Sequence, residues 1–491
     1  MERRNNTNLG VSTKRKYSTF VHDVILRLVK LLDLFALVVP FVYIWFKYYA
    51  DELFAIYYSG NWIIIFFYLI ILSFYGRTYD AFQINFNRIS DVIYSQGLAA
   101  LFTNFIFYFL IILLTRRLIT VLPLILCLGL QIGIAAIWAT VAHKWYYHTF
   151  PKSKTIVIYN RIGGKENLIN EYGYDKKFEI IGMYQVKDII EKNKSDREML
   201  NEPTDSNLDL LKDADSVFIV DLHSHDRNII LKYCVEHEII AFVQPRIGDL
   251  LMQGAQEKHM FHLPMLRVDR YKPSPEYLLI KRLFDIVSAS LVFLLISPIF
   301  VATAIAIHAY DQGPVFYKQV RLTKNGKEFK VLKFRSMRVD AEKDGVARLS
   351  TGEADPRITP VGRFIRKVRL DELPQLINII KGDMSVVGPR PERPEIARQY
   401  ETVLPEFSLR LQAKAGLTGY AQVYGKYNTE PYDKLGMDLM YISNPSIVQD
   451  IRIIFATIKI LFVPESTEGI AEGQTTATKS AQIDGSDTPN K

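Results

Sequence analysis

The sequence predicts a membrane protein in three parts: four transmembrane helices, a small α/β module, and a second α/β domain with its own membrane segment. Three observations support this. Four apolar stretches lie before residue 145, strand-like and helix-like runs alternate from 150 to 268, and a fifth apolar stretch opens the C-terminal region. The chain has 491 residues, a length typical of two to four domains, and 49% of them are hydrophobic. This composition excludes disordered and fibrous proteins.

The N-terminal region, 1–149, is predicted to be a four-helix membrane domain. Its apolar stretches span 31–49, 53–75, 92–114 and 118–141, and each is close to the roughly 20 residues that cross a bilayer as a helix. Twelve Lys and Arg residues flank the stretches on one side and three on the other, which places both ends of the domain in the cytoplasm. The alternative is four core helices of a large soluble protein.

The middle region, 150–268, is predicted to be a Rossmann-like α/β module. Strand-like runs at 155–159, 178–185, 216–222 and 239–244 alternate with helical segments such as 225–237, which is typical of a parallel sheet. The first strand is followed by the glycine pair Gly163-Gly164, whereas a dinucleotide fingerprint needs three glycines at set spacing. We therefore expect a packing or dimerising module rather than a nucleotide site.

Only two cysteines occur in the sequence, Cys127 and Cys234. Two are too few for a disulfide scaffold or a cysteine-based zinc site. Both are expected to be small buried hydrophobes.

The fifth apolar stretch, 286–309, is long enough to cross a membrane, yet two features argue against a simple span. Lys and Arg residues flank it on both sides, and Ser297-Pro298 stands at its centre. Proline removes a backbone hydrogen bond and breaks or kinks a helix, and the Ser297 hydroxyl can bond a freed backbone group. The pattern predicts a re-entrant helix at about 283–310 that enters and leaves on the cytoplasmic face. The alternative is a kinked true span.

An adjacent acidic pair, Asp371-Glu372, follows arginines at every third position, Arg363, Arg366 and Arg369, and this spacing predicts that the three arginines share one face. Asp371 is predicted to cap a helix N-terminus, where free N–H groups and the helix dipole favour anions. We expect that setting to keep its carboxylate ionised at neutral pH. The alternative is a capping residue beside an ordinary surface acid.

Further basic residues occur on both sides of the acidic pair. Lys333 and Arg335 belong to a strand-like run with a basic face, and Arg390 lies in a proline-rich loop after Gly388. Arginine binds phosphate groups bidentately. Adjacent carboxylates ringed by such cations suit phosphoryl chemistry, because one can attack a phosphorus while the other holds a divalent metal.

The C-terminal region, 276–464, resembles the bacterial sugar transferases, the monotopic phosphoglycosyl transferases. The resemblance rests on motifs spread over the C-terminal 40% of the chain: Lys281-Arg282-Leu-Phe284-Asp285, Ser297-Pro298, Gly313-Pro-Val-Phe316, Lys333-Phe-Arg335-Ser-Met, Leu370-Asp371-Glu372-Leu-Pro374-Gln375-Leu, Gly382-Asp383-Met, Gly388-Pro-Arg390-Pro391 and Gly416-Leu-Thr418-Gly419-Tyr-Ala-Gln422-Val. Together with the preceding spans and α/β module, it resembles the long subgroup that starts capsule and exopolysaccharide synthesis.

The resemblance implies transfer of a hexose 1-phosphate from a UDP-hexose to polyprenyl (undecaprenyl) phosphate, with release of UMP. It implies that Asp371 is the nucleophile and carries a covalent phosphosugar, and that Glu372 holds Mg²⁺. Phosphate oxygens are expected to be bound by Arg366 and Arg390, with Lys333, Arg335 and Arg369 as further candidates. The subgroup implies glucose or galactose, but no residue identifies the sugar.

The expected location is the bacterial inner membrane, with the catalytic domain in the cytoplasm. Expected partners are the bilayer, later glycosyltransferases of the pathway and a second copy in a homodimer, but not nucleic acid. The apolar segment 447–463 is predicted to lie in the membrane interface, and the tail 465–491 to be disordered. Two other functions stay open: an inactive scaffold or regulator of polysaccharide export, and a glycosyltransferase that moves the sugar without its phosphate.

Overall fold

The computed structural model describes residues 9–50, 58–160, 174–190, 207–271, 273–339, 341, 355, 357–425 and 429–461. Within them the chain forms two compact units, Met1–Gln244 and Pro245–Lys491. The glycine pair Gly163-Gly164 and the tail 465–491 lie outside the described residues.

The first unit begins with four long helices. They are α1 (Leu9–Tyr48), α2 (Tyr58–Thr78), α3 (Ile89–Thr115) and α4 (Leu122–Thr149). Among the described residues, four helical segments are long and apolar enough to cross a membrane: Gly60–Thr78, Ile89–Thr115, Leu122–Thr149 and Pro275–Asp311. The first predicted span, 31–49, lies almost entirely in α1, which is not one of these four.

A buried polar network joins the four N-terminal helices. The Tyr68 hydroxyl donates to Asn104 Oδ1 at 2.7 Å, and Asn104 Nδ2 donates to Gln131 Oε1 at 2.9 Å. Gln131 Nε2 in turn donates to the Leu37 carbonyl at 2.8 Å. Because α1, α2, α3 and α4 each contribute one member, the network fixes how the helices pack in an apolar setting.

The predicted parallel sheet of the middle module is confirmed. Its strands are β1 (Ser153–Tyr159), β2 (Phe178–Gln185), β3 (Ser216–Val220) and β4 (Ile240–Val243), all parallel, in the order β2-β1-β3-β4. The predicted helix 225–237 is α6 (Ser224–Glu236), and a short helix α5 (Val186–Ile189) precedes it.

The strand order differs from the classic Rossmann arrangement, in which the second and fourth strands flank the first. Here β1 is flanked by β2 and β3, the order of flavodoxin-like sheets. Ile156 and Ile158 of β1 are almost fully buried, as suits a central strand. Both cysteines are buried, as expected.

The second unit begins at Pro245, before the predicted end of the middle module at residue 268. The helix α7 (Ile247–Gln253) explains this position, because its Leu250 is 3% exposed and packs with Leu435 and Leu439 of the C-terminal core. An exposed hairpin follows, β5 (Gln256–Met260) and β6 (Leu263–Arg267).

The remaining elements surround one long helix. They are α8 (Pro275–Asp311), the antiparallel ribbon β7 (Phe316–Leu322) and β8 (Glu328–Phe334), α9 (Pro360–Lys367), α10 (Gln375–Lys381), β9 (Ser385–Val387), α11 (Pro394–Val403), β10 (Gly416–Thr418), α12 (Tyr420–Tyr424), α13 (Pro431–Ser443) and α14 (Ile447–Leu461). The short strands β9 and β10 pair in parallel.

Helix α8 is continuous across Ser297-Pro298, so of the predicted break or kink, the break is wrong. One hydrogen bond helps the helix to continue past the proline. Pro298 cannot donate to the Leu294 carbonyl four residues before it, and the Ser297 hydroxyl donates to that carbonyl instead, at 2.8 Å. The expected compensation by Ser297 is therefore confirmed, and it holds the helix together.

Helix α8 packs along the C-terminal unit over most of its length. Ala289 and Phe293 contact one apolar cluster, and Phe300, Ala304 and Ile307 contact a second one. The opposite face is apolar and exposed, with Leu291, Leu294, Leu295, Val301 and Ile305 each more than half exposed. A helix with one face on a soluble domain and the other apolar face uncovered suits a position at the surface of a bilayer.

The segments that flank α8 contact each other. Arg270 Nη2, before the helix, donates to Asn325 Oδ1, after it, at 2.8 Å. The described part of the predicted interfacial segment 447–463 is α14 (Ile447–Leu461), and its Asp450 is buried in an ion pair of 2.8 Å with Lys281 of α8. The chain segments before and after α8 therefore both belong to the C-terminal unit.

The packing of α10 on β8 depends on one buried amide. Leu332 N donates to Asn378 Oδ1 at 2.9 Å, and Asn378 Nδ2 donates to the Lys330 carbonyl at 2.9 Å. We expect Asn378→Ala to lower the apparent melting temperature in detergent, because it leaves both backbone groups without this partner, at a cost of about 1–3 kcal/mol. Asn444→Ala, at an exposed position, is the control and should change little. Equal melting temperatures for the two variants would contradict this role.

The contact between the flanks of α8 predicts that residues 271 and 325 lie on one side of the membrane. In a background without Cys127 and Cys234, Tyr271→Cys and Asn325→Cys should both resist an impermeant thiol reagent in intact cells and react after permeabilisation. Arg117→Cys, in the exposed loop between α3 and α4, should react in intact cells. Labelling of Asn325→Cys alone in intact cells would show that α8 crosses the bilayer.

Candidate active site

The acidic pair lies in a tight turn between α9 and α10. The Thr359 hydroxyl accepts a hydrogen bond from Gly362 N at 2.9 Å and caps the start of α9. After this helix, Arg369 adopts a left-handed conformation with φ of 55°, and a 3₁₀ turn follows over Leu370–Glu372. The reversal at Arg369 therefore sets the direction of both carboxylates.

Asp371 does not cap a helix, so that prediction is wrong. It lies inside the 3₁₀ turn, and α10 begins only after Pro374. The chain already has helical geometry at Leu370, as the hydrogen bond of 3.2 Å from Leu373 N to the Leu370 carbonyl shows. The side chain of Asp371 is thus not used to bond the start of α10.

Two leucines anchor this turn. Leu370 and Leu373 pack against an apolar cluster of Ile307, Phe334 and Ile365, which come from α8, β8 and α9. Asp371 and Glu372 lie between these two leucines in the sequence. The position of the acidic pair is therefore tied to the membrane-associated helix.

Two cations converge on one oxygen of Glu372. Lys333 Nζ and Arg390 Nη2 each lie 3.1 Å from Glu372 Oε1. The side chain of Glu372 is 15% exposed, so this charge is mostly removed from water. Burial alone would raise the pKa of Glu372, but Lys333, Arg390 and Arg369 lower it well below its usual range. Glu372 is therefore ionised at any physiological pH.

Asp371 is shifted in the opposite direction. Burial and the neighbouring Glu372 carboxylate raise the pKa of Asp371 to about 6, against the charges of Lys333, Arg366 and Arg390. The predicted stabilisation of the anion by a helix dipole is wrong, because Asp371 does not begin a helix, and the pKa of Asp371 rises although three cations act to lower it. At neutral pH the group is still mainly a carboxylate.

The structure brings most of the predicted basic residues to the acidic pair but not all of them. The charges of Lys333, Arg366, Arg369 and Arg390 act on one or both carboxylates. Arg335 instead pairs with Asp311 at the end of α8. The three arginines that were expected to share a face do not, because α9 ends at Lys367, before Arg369.

The loop that carries Arg390 is held close to β10. Gly388 N donates to the Thr418 carbonyl at 2.9 Å, and Gly416 N donates to the Pro389 carbonyl at 2.9 Å. A Cβ atom on Gly388 would stand 2.2 Å from the Lys414 carbonyl oxygen, so only glycine fits. This close approach fixes where the loop begins.

Several residues that support this site could not be identified from sequence patterns. Arg410, Lys434 and Asp438 are far from Arg390 in the chain but join Glu392 in a buried cluster of charges behind its loop. Only Glu392, next to the proline-rich motif, could have been suspected. Asn378 likewise reads as an ordinary polar residue of a helix.

A metal ion at this site would depend on ligands from outside the protein. Within the described ranges, no group of three or more His, Cys, Asp or Glu side chains could hold a metal by itself. Both cations bond to Oε1 of Glu372, and Oε2 is the oxygen left for another ligand. Mg²⁺ is commonly held by one or two carboxylates together with substrate phosphates and water, so the residues fit that arrangement.

Residues 276–464 match the family described as bacterial sugar transferase. A protein of Aeromonas hydrophila named UDP-N-acetylgalactosamine-undecaprenyl-phosphate N-acetylgalactosaminephosphotransferase is 39% identical over 203 residues, 41% of this chain and 48% of the relative. The UDP-glucose:undecaprenyl-phosphate glucose-1-phosphate transferase of Escherichia coli K12 is 41% identical over 212 residues, 42% of this chain and 44% of the relative. The match thus spans less than half the length of these two relatives.

A shorter relative is matched almost completely. The exopolysaccharide production protein PSS of Rhizobium leguminosarum bv. phaseoli is 42% identical over 203 residues, which are 39% of this chain but 98% of that protein. The shared part is thus a whole protein there and the C-terminal part here. With the acidic pair and its cations inside this part, the chain belongs to the bacterial sugar transferase family.

Proposed function

We propose that the protein transfers a hexose 1-phosphate from a UDP-hexose to polyprenyl phosphate and releases UMP, as the first step in assembling an exopolysaccharide or capsule repeat unit. The observation that carries the proposal is the acidic pair. Two cations fix the Glu372 carboxylate, and the charges of three cations act on Asp371. The names of the relatives support the substrate classes, since they specify undecaprenyl phosphate and UDP-sugars. They specify different sugars, so we propose no particular hexose.

In the first step, a carboxylate oxygen of Asp371 attacks the phosphorus that bears the sugar. The bond from that phosphorus to the bridging oxygen breaks, and UMP leaves with this oxygen. Lys333, Arg366 and Arg390 are placed to offset the negative charge that gathers at the phosphate. The phosphosugar stays on Asp371.

In the second step, a phosphate oxygen of the polyprenyl lipid attacks the same phosphorus. The bond to Asp371 breaks, and the carboxylate is regenerated. Each displacement inverts the configuration at phosphorus, so two of them restore it. Two steps let one site serve a soluble and a membrane substrate in turn.

Glu372 is proposed to keep the cations in place and to hold Mg²⁺. When bound, the ion would neutralise charge on the diphosphate. The protein's own part is electrostatic, because a permanently ionised Glu372 fixes Lys333 and Arg390 beside the reacting group.

We further propose that the C-terminal domain lies on the cytoplasmic face of the bacterial inner membrane, with α8 at the membrane surface. The contact of Arg270 with Asn325 and the exposed apolar face of α8 support this arrangement. Such a position places Asp371 near the headgroup region, where a polyprenyl phosphate can reach it.

The decisive test compares substitutions of the two carboxylates. Wild-type protein given radiolabelled UDP-sugar without lipid should retain sugar phosphate and release UMP. Asp371→Asn should lose the label and slow turnover by about a thousandfold or more, because it removes the nucleophile while keeping the size. Glu372→Gln should also be nearly inactive, with a residual rate that responds to Mg²⁺ concentration.

Three results would overturn the mechanism: an active Asp371→Asn variant, a label on another residue, or UDP as the product. UDP would indicate a transferase that moves the sugar alone. No product with any UDP-sugar would favour a scaffold or regulator.

The raised pKa of Asp371 predicts an acid limb in the rate of UMP release. Because the carboxylate form attacks, kcat/KM should fall about tenfold per pH unit below pH 6 as Asp371 takes up a proton. Glu372 stays ionised there, so the limb should have the slope of a single proton. The measurement is UMP release without lipid at low UDP-sugar concentration, and a constant rate down to about pH 5 would contradict the assignment.

A further inference from the structure

The loop that presents Arg390 rests on a buried charge cluster formed by Glu392, Arg410, Lys434 and Asp438. Arg410 is 2% exposed, Asp438 1% and Glu392 8%. None of the four has been given a part in binding or chemistry above. Burying so many charges is costly, and a buried ion pair is often no more stabilising than a well-packed apolar pair. Stability alone therefore does not explain this buried charge cluster.

Arg410 links the cluster directly to the backbone of Arg390. Its Nη2 donates to the Arg390 carbonyl at 2.9 Å and lies 2.7 Å from Asp438 Oδ2. Its Nη1 donates to Glu392 Oε1 at 3.4 Å. One planar guanidinium thus holds two points of the loop and is itself held by Asp438 of α13.

The next two residues of the loop, Pro391 and Glu392, also contact basic side chains. Lys434 Nζ contacts Glu392 Oε1, and Arg321 Nη1 donates to the Pro391 carbonyl at 3.0 Å. Three consecutive residues, Arg390 to Glu392, are therefore bonded to side chains from β7, α13 and the segment before β10. The flanking prolines remove further backbone freedom.

The other end of Arg390 reaches the acidic pair. Its Nη2 lies 3.1 Å from Glu372 Oε1, and its charge acts on Asp371. A series of contacts therefore runs from Asp438 to Glu372: an ion pair from Asp438 to Arg410, a hydrogen bond from Arg410 to the Arg390 carbonyl, and an ion pair from Arg390 to Glu372. A shift of about 1 Å at a group that binds the transition state can cost about a hundredfold in rate.

We propose that Arg410 is a positioning residue that acts through Arg390: it fixes the Arg390 backbone so that the guanidinium meets Glu372 and the reacting phosphate. This inference rests on the proposed function. Arg410 is 2% exposed, so it presents almost no surface to a substrate. Its substitution should lower the rate of the chemical step rather than the affinity for UDP-sugar.

A double-mutant cycle tests the proposal on the full-length protein in detergent or nanodiscs. Arg410→Gln should lower kcat for UMP release by about tenfold or more and change KM for UDP-sugar by less than about threefold. Arg410→Lys keeps the charge and one donor, so it should recover part of the rate. Asp438→Asn should act in the same direction, because it loosens Arg410.

The background Arg390→Lys distinguishes positioning from a general structural effect. If Arg410 acts only through Arg390, then adding Arg410→Gln to Arg390→Lys should slow UMP release by less than about threefold more. The matched control is Lys281→Met, which breaks a buried ion pair of the same unit away from this loop. It should lower the melting temperature, change kcat by less than about threefold and combine additively with Arg390→Lys.

Additive losses for Arg410→Gln in both backgrounds, or an effect on KM alone, would overturn the inference. So would full kcat per folded molecule in Arg410→Lys and Asp438→Asn if Arg410→Gln fails to fold. Wild-type protein that releases no UMP from any UDP-sugar would instead reject the proposed function. Wild-type UMP release with an additive cycle would reject only the role of Arg410.

Discussion

The site depends on the meeting of Lys333 and Arg390 at one oxygen of Glu372. These three residues come from β8, from the turn before α10 and from the loop after β9, so the ion pairs join three separate parts of the C-terminal unit. A mostly buried carboxylate is tolerated only when it is paired, and a buried cation needs the same. Removing Glu372 leaves two partly buried cations without their shared partner, and removing either cation leaves Glu372 with only one. The three residues therefore depend on one another. Their ion pairs place positive charge beside Asp371 but do not pair with its carboxylate directly.

Helix α8 supplies the frame for this meeting. Its inner face carries Phe300 and Ile307 against Phe334, the residue after Lys333, and against the leucines on either side of the acidic pair. Near its N-terminus, Arg282 donates to the carbonyls of Ile379 and Ile380 at 2.7 and 2.8 Å and so bonds the end of α10. The same helix thus fixes the strand with the lysine and the helix after the carboxylates. The geometry of the site therefore depends on the position of α8.

Sequence patterns predicted those parts of the structure that local chemistry decides. Apolar length indicated the long helices, alternation of strands and helices indicated the parallel sheet, and Asp371-Glu372 with nearby arginines indicated the site. The failures occur where the sequence allows more than one local arrangement, and either a local bond or a tertiary contact decides between them. Pro298 suggested a broken helix, but the Ser297 hydroxyl bonds the freed carbonyl. Asp371 looked like a cap, but Arg369 reverses the chain earlier. Arg335 and Lys333 lie two positions apart and were both predicted to bind phosphate, yet Arg335 pairs with Asp311. No sequence pattern indicated that Arg410 and Asp438 support the loop of Arg390.

The opposite pKa shifts of the two carboxylates assign their roles more sharply than their spacing does. When the environment shifts the pKa values of two neighbouring acids in opposite directions, the two groups often have different roles in catalysis. Lys333 and Arg390 hold the pKa of Glu372 down, which makes it a permanent anion and a poor nucleophile. Burial and that anion raise the pKa of Asp371 to about 6, which makes its carboxylate more basic and more nucleophilic while it stays mainly ionised at neutral pH. In the proposed mechanism the same carboxylate must also leave in the second displacement, and a much higher pKa would slow that step. A pKa of Asp371 of about 6 would suit both attack and departure: burial raises it most, the Glu372 carboxylate raises it further, and Lys333, Arg366 and Arg390 limit the rise.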